Sequence, residues 1–154
     1  EKNGDYLKTV ERYDSETDEW ETVAPMSMTR YCCGVAVMNG RLYAVGGVDI
    51  KYNKLASVES FDPESGEWSE EPPMLTARYN CGVGEEAGKL YVVGGRDDKN
   101  RALMSVECFD AVTKQWGKVK DMSTVRSSGA VAVLPPYVKH LDLLDDKVRA
   151  SHLP

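Results

Sequence analysis

Gly34-Val35-Ala36-Val37-Met38-Asn39-Gly40-Arg41-Leu42-Tyr43-Ala44-Val45-Gly46-Gly47 reads as two short strands on either side of a tight turn. Asn-Gly is the dipeptide that two-residue hairpins prefer, since both central residues need positive φ. The closing Gly46-Gly47 pair marks a place where the backbone takes a conformation that side chains forbid, or is approached closely. The same run returns as Gly82 to Gly95, with Ala87-Gly88 at the turn and Gly94-Gly95 at the end. The interval is 48 residues, and it recurs along the chain. It separates Trp20, Trp68 and Trp116, then Tyr13, Phe61 and Phe109, then Asp14, Asp62 and Asp110. Leu7, Val10, Glu11, Met26 and Arg30 recur in the same register, and no gap is needed up to Leu134. The chain is a tandem repeat.

The rest of one period follows the same grammar. Ser57 to Phe61 reads as a third strand. Asp62-Pro63-Glu64-Ser65-Gly66 is a turn, rich in residues that bond their own backbone or fix φ. Glu67-Trp68-Ser69 opens a fourth strand, which ends near Pro72-Pro73-Met74. Four short strands per period predict one antiparallel sheet, stacked radially as in a β-propeller. The first two strands are apolar on successive residues, which predicts burial on both faces.

These residues carry a family resemblance. A Gly-Gly pair after Leu-Tyr-x-Val, then Val-Glu-x-Tyr/Phe-Asp, then Trp seven residues after the aromatic, closely resembles the kelch repeat. Pro-Met-x-x-x-Arg is similar to the kelch-like branch, whose members join BTB and BACK domains to a six-bladed propeller. The match runs over residues 6–134. The expected fold is all-β, a partial kelch β-propeller of about three four-stranded antiparallel blades whose ring is not closed. In this register 1–26 is the last half of a blade, 27–74 and 75–122 are full blades, and 123–134 is the first strand of another. A ring of at least four such blades needs ~190 residues, so both end blades are expected to expose apolar faces.

Residues 135–154 depart from the pattern. Pro135-Pro136 replaces the hairpin turn, Val138 to Leu143 replaces Leu-Tyr-x-Val-Gly-Gly, and Ala130 replaces the glycine of Gly34 and Gly82. The favoured reading of this tail is a non-native or alternative end. The other is a short amphipathic helix with Leu141, Leu144 and Val148 on one face.

Composition narrows the chemistry. The 154 residues carry 19 Lys+Arg against 25 Asp+Glu, a net charge of −6, and 42% hydrophobic residues. That is globular, and an acidic balance without a basic block argues against nucleic acid. No apolar run reaches the roughly 18 residues of a membrane span. The two histidines, His140 and His152, leave little for metal or acid–base chemistry, and an enzyme with paired acids in one cleft is not indicated. Cys32, Cys33, Cys81 and Cys108 show no CxxC spacing, so no metal set and no cofactor is expected. Free thiols and the polar first residues suit a reducing, cytoplasmic setting.

Binding is expected where the repeats disagree, on loops carried by a rigid frame. By resemblance, the loop between second and third strands and the loop between blades share the partner-binding face. That gives Lys51, Tyr52 and Lys54 in one loop, and Arg96, Lys99 and Arg101 in the next. Between blades it gives Tyr31, Cys32, Tyr79, Asn80, Ser127 and Ser128. Arg30 and Arg78 join this set if the recurrent arginines line the channel mouth; the other reading makes them architectural, bonded to loop carbonyls or carboxylates. The opposite turns are acidic and this face is cationic, so an acidic protein or peptide partner is expected. The resemblance implies the substrate-recognition part of a kelch-like adaptor for a cullin-3 ubiquitin ligase, the cullin being reached through domains absent from this chain. The alternative is an actin-associated scaffold, and a copper oxidase of kelch type lacks its imidazoles here.

Overall fold

A computed structural model describes residues 7–134. β1 (Val10–Asp14) and β2 (Glu19–Val23) form a two-stranded antiparallel sheet. β3 (Gly34–Met38), β4 (Arg41–Val45), β5 (Val58–Asp62) and β6 (Glu67–Glu71) form a four-stranded meander in that order. β7 (Gly82–Glu86), β8 (Lys89–Val93), β9 (Val106–Asp110) and β10 (Gln115–Lys118) form a second one. The tail at 135–154, with its helix alternative, lies outside the described residues.

Local chemistry sets each turn. Asn39 and Gly40 take φ of 51° and 77°, the mirror-image turn that suits a right-twisted hairpin. In β7–β8 Ala87 accepts the same strained region at φ 53°, where the Glu85 carboxylate accepts the Gly88 N–H. The third-to-fourth strand turns are built three times over from one aspartate. Asp14, Asp62 and Asp110 each accept two backbone N–H groups from the residues just ahead.

The core lies between the two four-stranded sheets. Met38, Tyr43, Val45 and Val58 meet Cys81, Val83, Leu90, Val92 and Phe109, and the Tyr43 and Phe109 rings stand 6.4 Å apart. Gly34 permits the close approach: a Cβ there would lie 2.3 Å from Val83 Cγ2. Cross-strand aromatic pairs fill the outer half of each sheet, with Phe61 opposite Trp68 and Phe109 opposite Trp116. The indole N–H then reaches the preceding sheet's end, Trp68 donating to the Ala24 carbonyl and Trp116 to that of Pro72.

One expectation is corrected. β4 is largely buried, but β3 is not buried on both faces: Val35 and Val37 are 59% and 61% exposed. The neighbour on that side is the two-stranded β1–β2 sheet, which does not cover it. The equivalent Val83 is shielded by Gly34 on one side, while Val131 packs over Gly82 and Gly84. Residues 129–134 carry no strand pairing with described residues.

Candidate protein-binding face

Antiparallel meanders divide loops between two ends. The start of each sheet, its second-to-third loop and its last strand's end lie together, opposite the two tight turns. The structure therefore gathers 31–32 with 48–54, 79–80 with 96–102, and 126–128 beside them. Isolated bridges stitch each group: Tyr31 to Val48 to Lys54, then Tyr79 to Arg96 to Ala102, then Leu103 to Arg126.

The loops are held in shape from within. Asp49 accepts the N–H groups of Lys51 and Asn53 and the Asn53 amide. Asp97 does the same for Lys99 and Arg101, and pairs with the Arg101 guanidinium. The Asn53 amide holds the Asp49 carboxyl below its ordinary pKa, and the Arg101 guanidinium does so for Asp97. Tyr52 and Asn100, one period apart, both take φ 64°. Tyr79 donates its hydroxyl to the Asn100 side chain, and Lys54 Nζ sits 5.8 Å over the Tyr79 ring, joining neighbouring sheets. Lys51, Tyr52, Lys99 and Arg101 are exposed at the tips. Beside them a groove of about 320 Å³ is lined by Asp97, Arg101, Leu103, Met104 and Val125, among others.

Closer to the presumed axis, backbone replaces side chains as the joint. The Asn80 N–H donates to the Cys32 carbonyl, and the Ser128 N–H to that of Asn80. Cys32, Asn80 and Ser128 all sit in the left-handed region, with φ of 55°, 52° and 57°. Ser127 is half-buried and Ser128 exposed.

Arg30 and Arg78 leave the contact set. Their side chains have no exposed surface, because each is spent on an internal network. Arg30 donates to Glu59, to the Gly46 and Ser57 carbonyls and to the Ser57 hydroxyl. Arg78 repeats the pattern with Glu107, Gly94 and Ser105. The remaining carboxylate oxygens accept the N–H groups of Ser27 and Leu75. Arg126, the third of the series, is exposed.

Sequence reading missed Asp49, Asp97 and Asn100 as organisers. Asp49 and Asp97 stand 48 residues apart inside otherwise dissimilar loops, and that coincidence was the available signal. Among the described residues no three His, Cys, Asp or Glu side chains cluster as metal ligands, and no helix is long and apolar enough to cross a membrane. The cysteines are free, and burial pushes the Cys81 thiol up to about 11 despite Arg78 nearby.

Radially packed four-stranded meanders in an unclosed ring define part of a β-propeller. The profile of the Kelch motif matches residues 2–27, 29–75 and 77–123, and the chain belongs to that family. Mouse Kelch-like protein 1 is 58% identical over 43 residues, which is 28% of this chain and 6% of that protein. Human Kelch-like protein 5 is 55% identical over 40 residues, 26% of this chain and 5% of that one. These matches span well under a tenth of the curated relatives' length. The solved structure of YjhT superposes with a TM-score of 0.66 at 18% identity, over 77% of this chain and 45% of that chain. Kelch repeats are protein-interaction modules, and the chain is similar in sequence to several Kelch-like proteins.

Proposed function

We propose that this chain is the substrate-recognition part of a kelch-like adaptor for a cullin-3 ubiquitin ligase, working in the cytoplasm and without catalysis of its own. Residues 27–74 and 75–122 are its two full blades, 1–26 the last half of one, and 123–134 the opening strand of the next. One observation carries the reading: non-repeating Tyr, Lys and Arg side chains stand on loops that the backbone and two aspartates hold rigid. A preorganised surface loses little entropy on binding.

The partner is an acidic protein or peptide segment. Lys51, Lys54, Arg96, Lys99 and Arg101 supply the charge, and Tyr31, Tyr52 and Tyr79 the flat contact area. Cys32, Asn80, Ser127 and Ser128 form the inner edge. Similarity to Kelch-like proteins supports the adaptor role, which the BTB and BACK parts of a longer protein would complete. An actin-associated scaffold is the second reading; recovery of the full-length protein with filamentous actin and not with cullin-3 selects it.

The direct test titrates acidic and neutral dodecapeptides against the wild-type chain and a Lys51→Glu/Lys54→Glu variant. Reversal should weaken acidic-peptide binding about tenfold and flatten its salt dependence. Equal affinity for both peptides, or for both proteins, refutes the reading.

A further inference from the structure

The two outer faces of the described structure carry opposite halves of one contact pattern, and we propose that they dock on each other in a second copy of this chain. This inference is independent of what the loop face binds. Within the chain, three polar contacts recur from sheet to sheet. A buried arginine ahead of a sheet pairs with a glutamate in its third strand, as Arg30 with Glu59 and Arg78 with Glu107. A tryptophan indole donates to a carbonyl at the end of the preceding sheet, as Trp68 to Ala24 and Trp116 to Pro72. A backbone N–H at the inner edge donates to the preceding sheet, as Asn80 to Cys32 and Ser128 to Asn80.

Each contact has one equivalent donor and one equivalent acceptor left over, at opposite faces. Arg126 and Glu11 are exposed, and neither forms an ion pair with a described residue. Trp20 is 67% exposed, and the Lys120 carbonyl occupies the place of Ala24 and Pro72. The Cys32 N–H and the Ser128 carbonyl complete the set. Displacing a second copy by three repeats brings all three pairs to the spacings seen inside the chain. The charges are complementary, and the contact continues an interface already built twice.

Apolar surface follows the same logic. Exposed Val35 and Val37 and a cleft of about 290 Å³, walled by Val10, Val23, Leu42 and Phe61 among others, lie on one face. Val133 and Leu134 are exposed on the other. The second-strand position of the composite sheet falls outside the described residues. Two copies would supply two arcs that each match 45% of the YjhT chain, so the pair closes on itself about a twofold axis. One residue opposes perfect register. Ala130 stands where glycine admits Val83 or Val131, so its methyl forces the copies slightly apart.

Sedimentation velocity on residues 1–154 across low to high micromolar concentration should show a discrete dimer. Glu11→Arg or Arg126→Glu alone should weaken it by about tenfold or more, since both contacts become like-charged. An equimolar mixture of the two variants should restore it, because every Arg then meets a Glu. Ala130→Gly should tighten it. Both swapped residues are exposed, and circular dichroism confirms that the variants fold. A monomer at all concentrations, association that continues past two copies, or association indifferent to the swaps overturns the proposal.

Discussion

Truncating Arg78 tests whether the recurrent arginines hold the frame. Arg78→Ala removes a fully buried guanidinium and strands the Glu107 carboxylate, whose side chain is also without exposed surface. The lost contact is a 2.5 Å ion pair, together with bonds to the Gly94 and Ser105 carbonyls and the Ser105 hydroxyl. Leaving one member of a buried pair uncompensated costs about 3–5 kcal/mol. Arg12→Ala is the control: its pair with Glu21 is more than half exposed, so the loss should be about 0–1 kcal/mol. Urea titration followed by tryptophan fluorescence reads both. With a slope of about 1–3 kcal/mol per molar, Arg78→Ala should move the midpoint by more than a molar and Arg12→Ala by a few tenths. Arg78→Lys should recover only part, because one ammonium cannot reach the several acceptors that the planar fork spans. Equal, small shifts for Arg78→Ala and Arg12→Ala would refute the architectural role.

Other measurements address separate links in the structure. Gly88→Ala should cost about 1–2 kcal/mol for its positive φ alone, since a Cβ there meets open space. Gly94→Ala should cost clearly more, because its Cβ would lie 2.4 Å from the Arg126 carbonyl oxygen; similar losses in thermal melts would remove the packing argument. The Asp110 carboxyl is held down at about 2, first by the Lys89 ammonium and then by the N–H groups of Thr113 and Val112. Its folded pKa lies below the unfolded value of about 3.9, so its stabilisation is full above that pH and disappears as pH falls towards 2. Asp110→Asn should therefore flatten the fall of the urea midpoint between those values, and an unchanged slope contradicts the assignment. Maleimide at neutral pH should label exposed Cys32 first and Cys81 last, because burial disfavours the Cys81 thiolate. Peptide mapping that finds Cys81 labelled early would contradict that burial.

The repeat made the fold legible, because a period of 48 residues fixes strands, turns and glycines together. Side-chain direction was harder. Arg30 and Arg78 recur at the same positions as solvent-facing arginine would, and only Glu59 and Glu107, equally periodic and always 29 residues later, hint at an internal pair. The exposure of Val35 was hidden for a different reason. Its apolar run is indistinguishable from that of Val83, and only the neighbour across the sheet differs. The loop face was found by seeking disagreement between repeats, which points to contacts but overlooks the shared aspartates that shape them.

Those aspartates have a consequence for how such a surface changes over time. Asp49 and Asp97 grip main-chain N–H groups, so the shape of each loop depends on one carboxylate and hardly on the residues between. Ile50, Lys51 and Tyr52 in one loop and Asp98, Lys99 and Asn100 in the next ride on nearly the same bracket with different chemistry. Substitution at those tips can alter what is recognised while leaving the sheet beneath undisturbed. Each bracket acts as an interchangeable socket, and neighbouring sockets can diversify independently of one another.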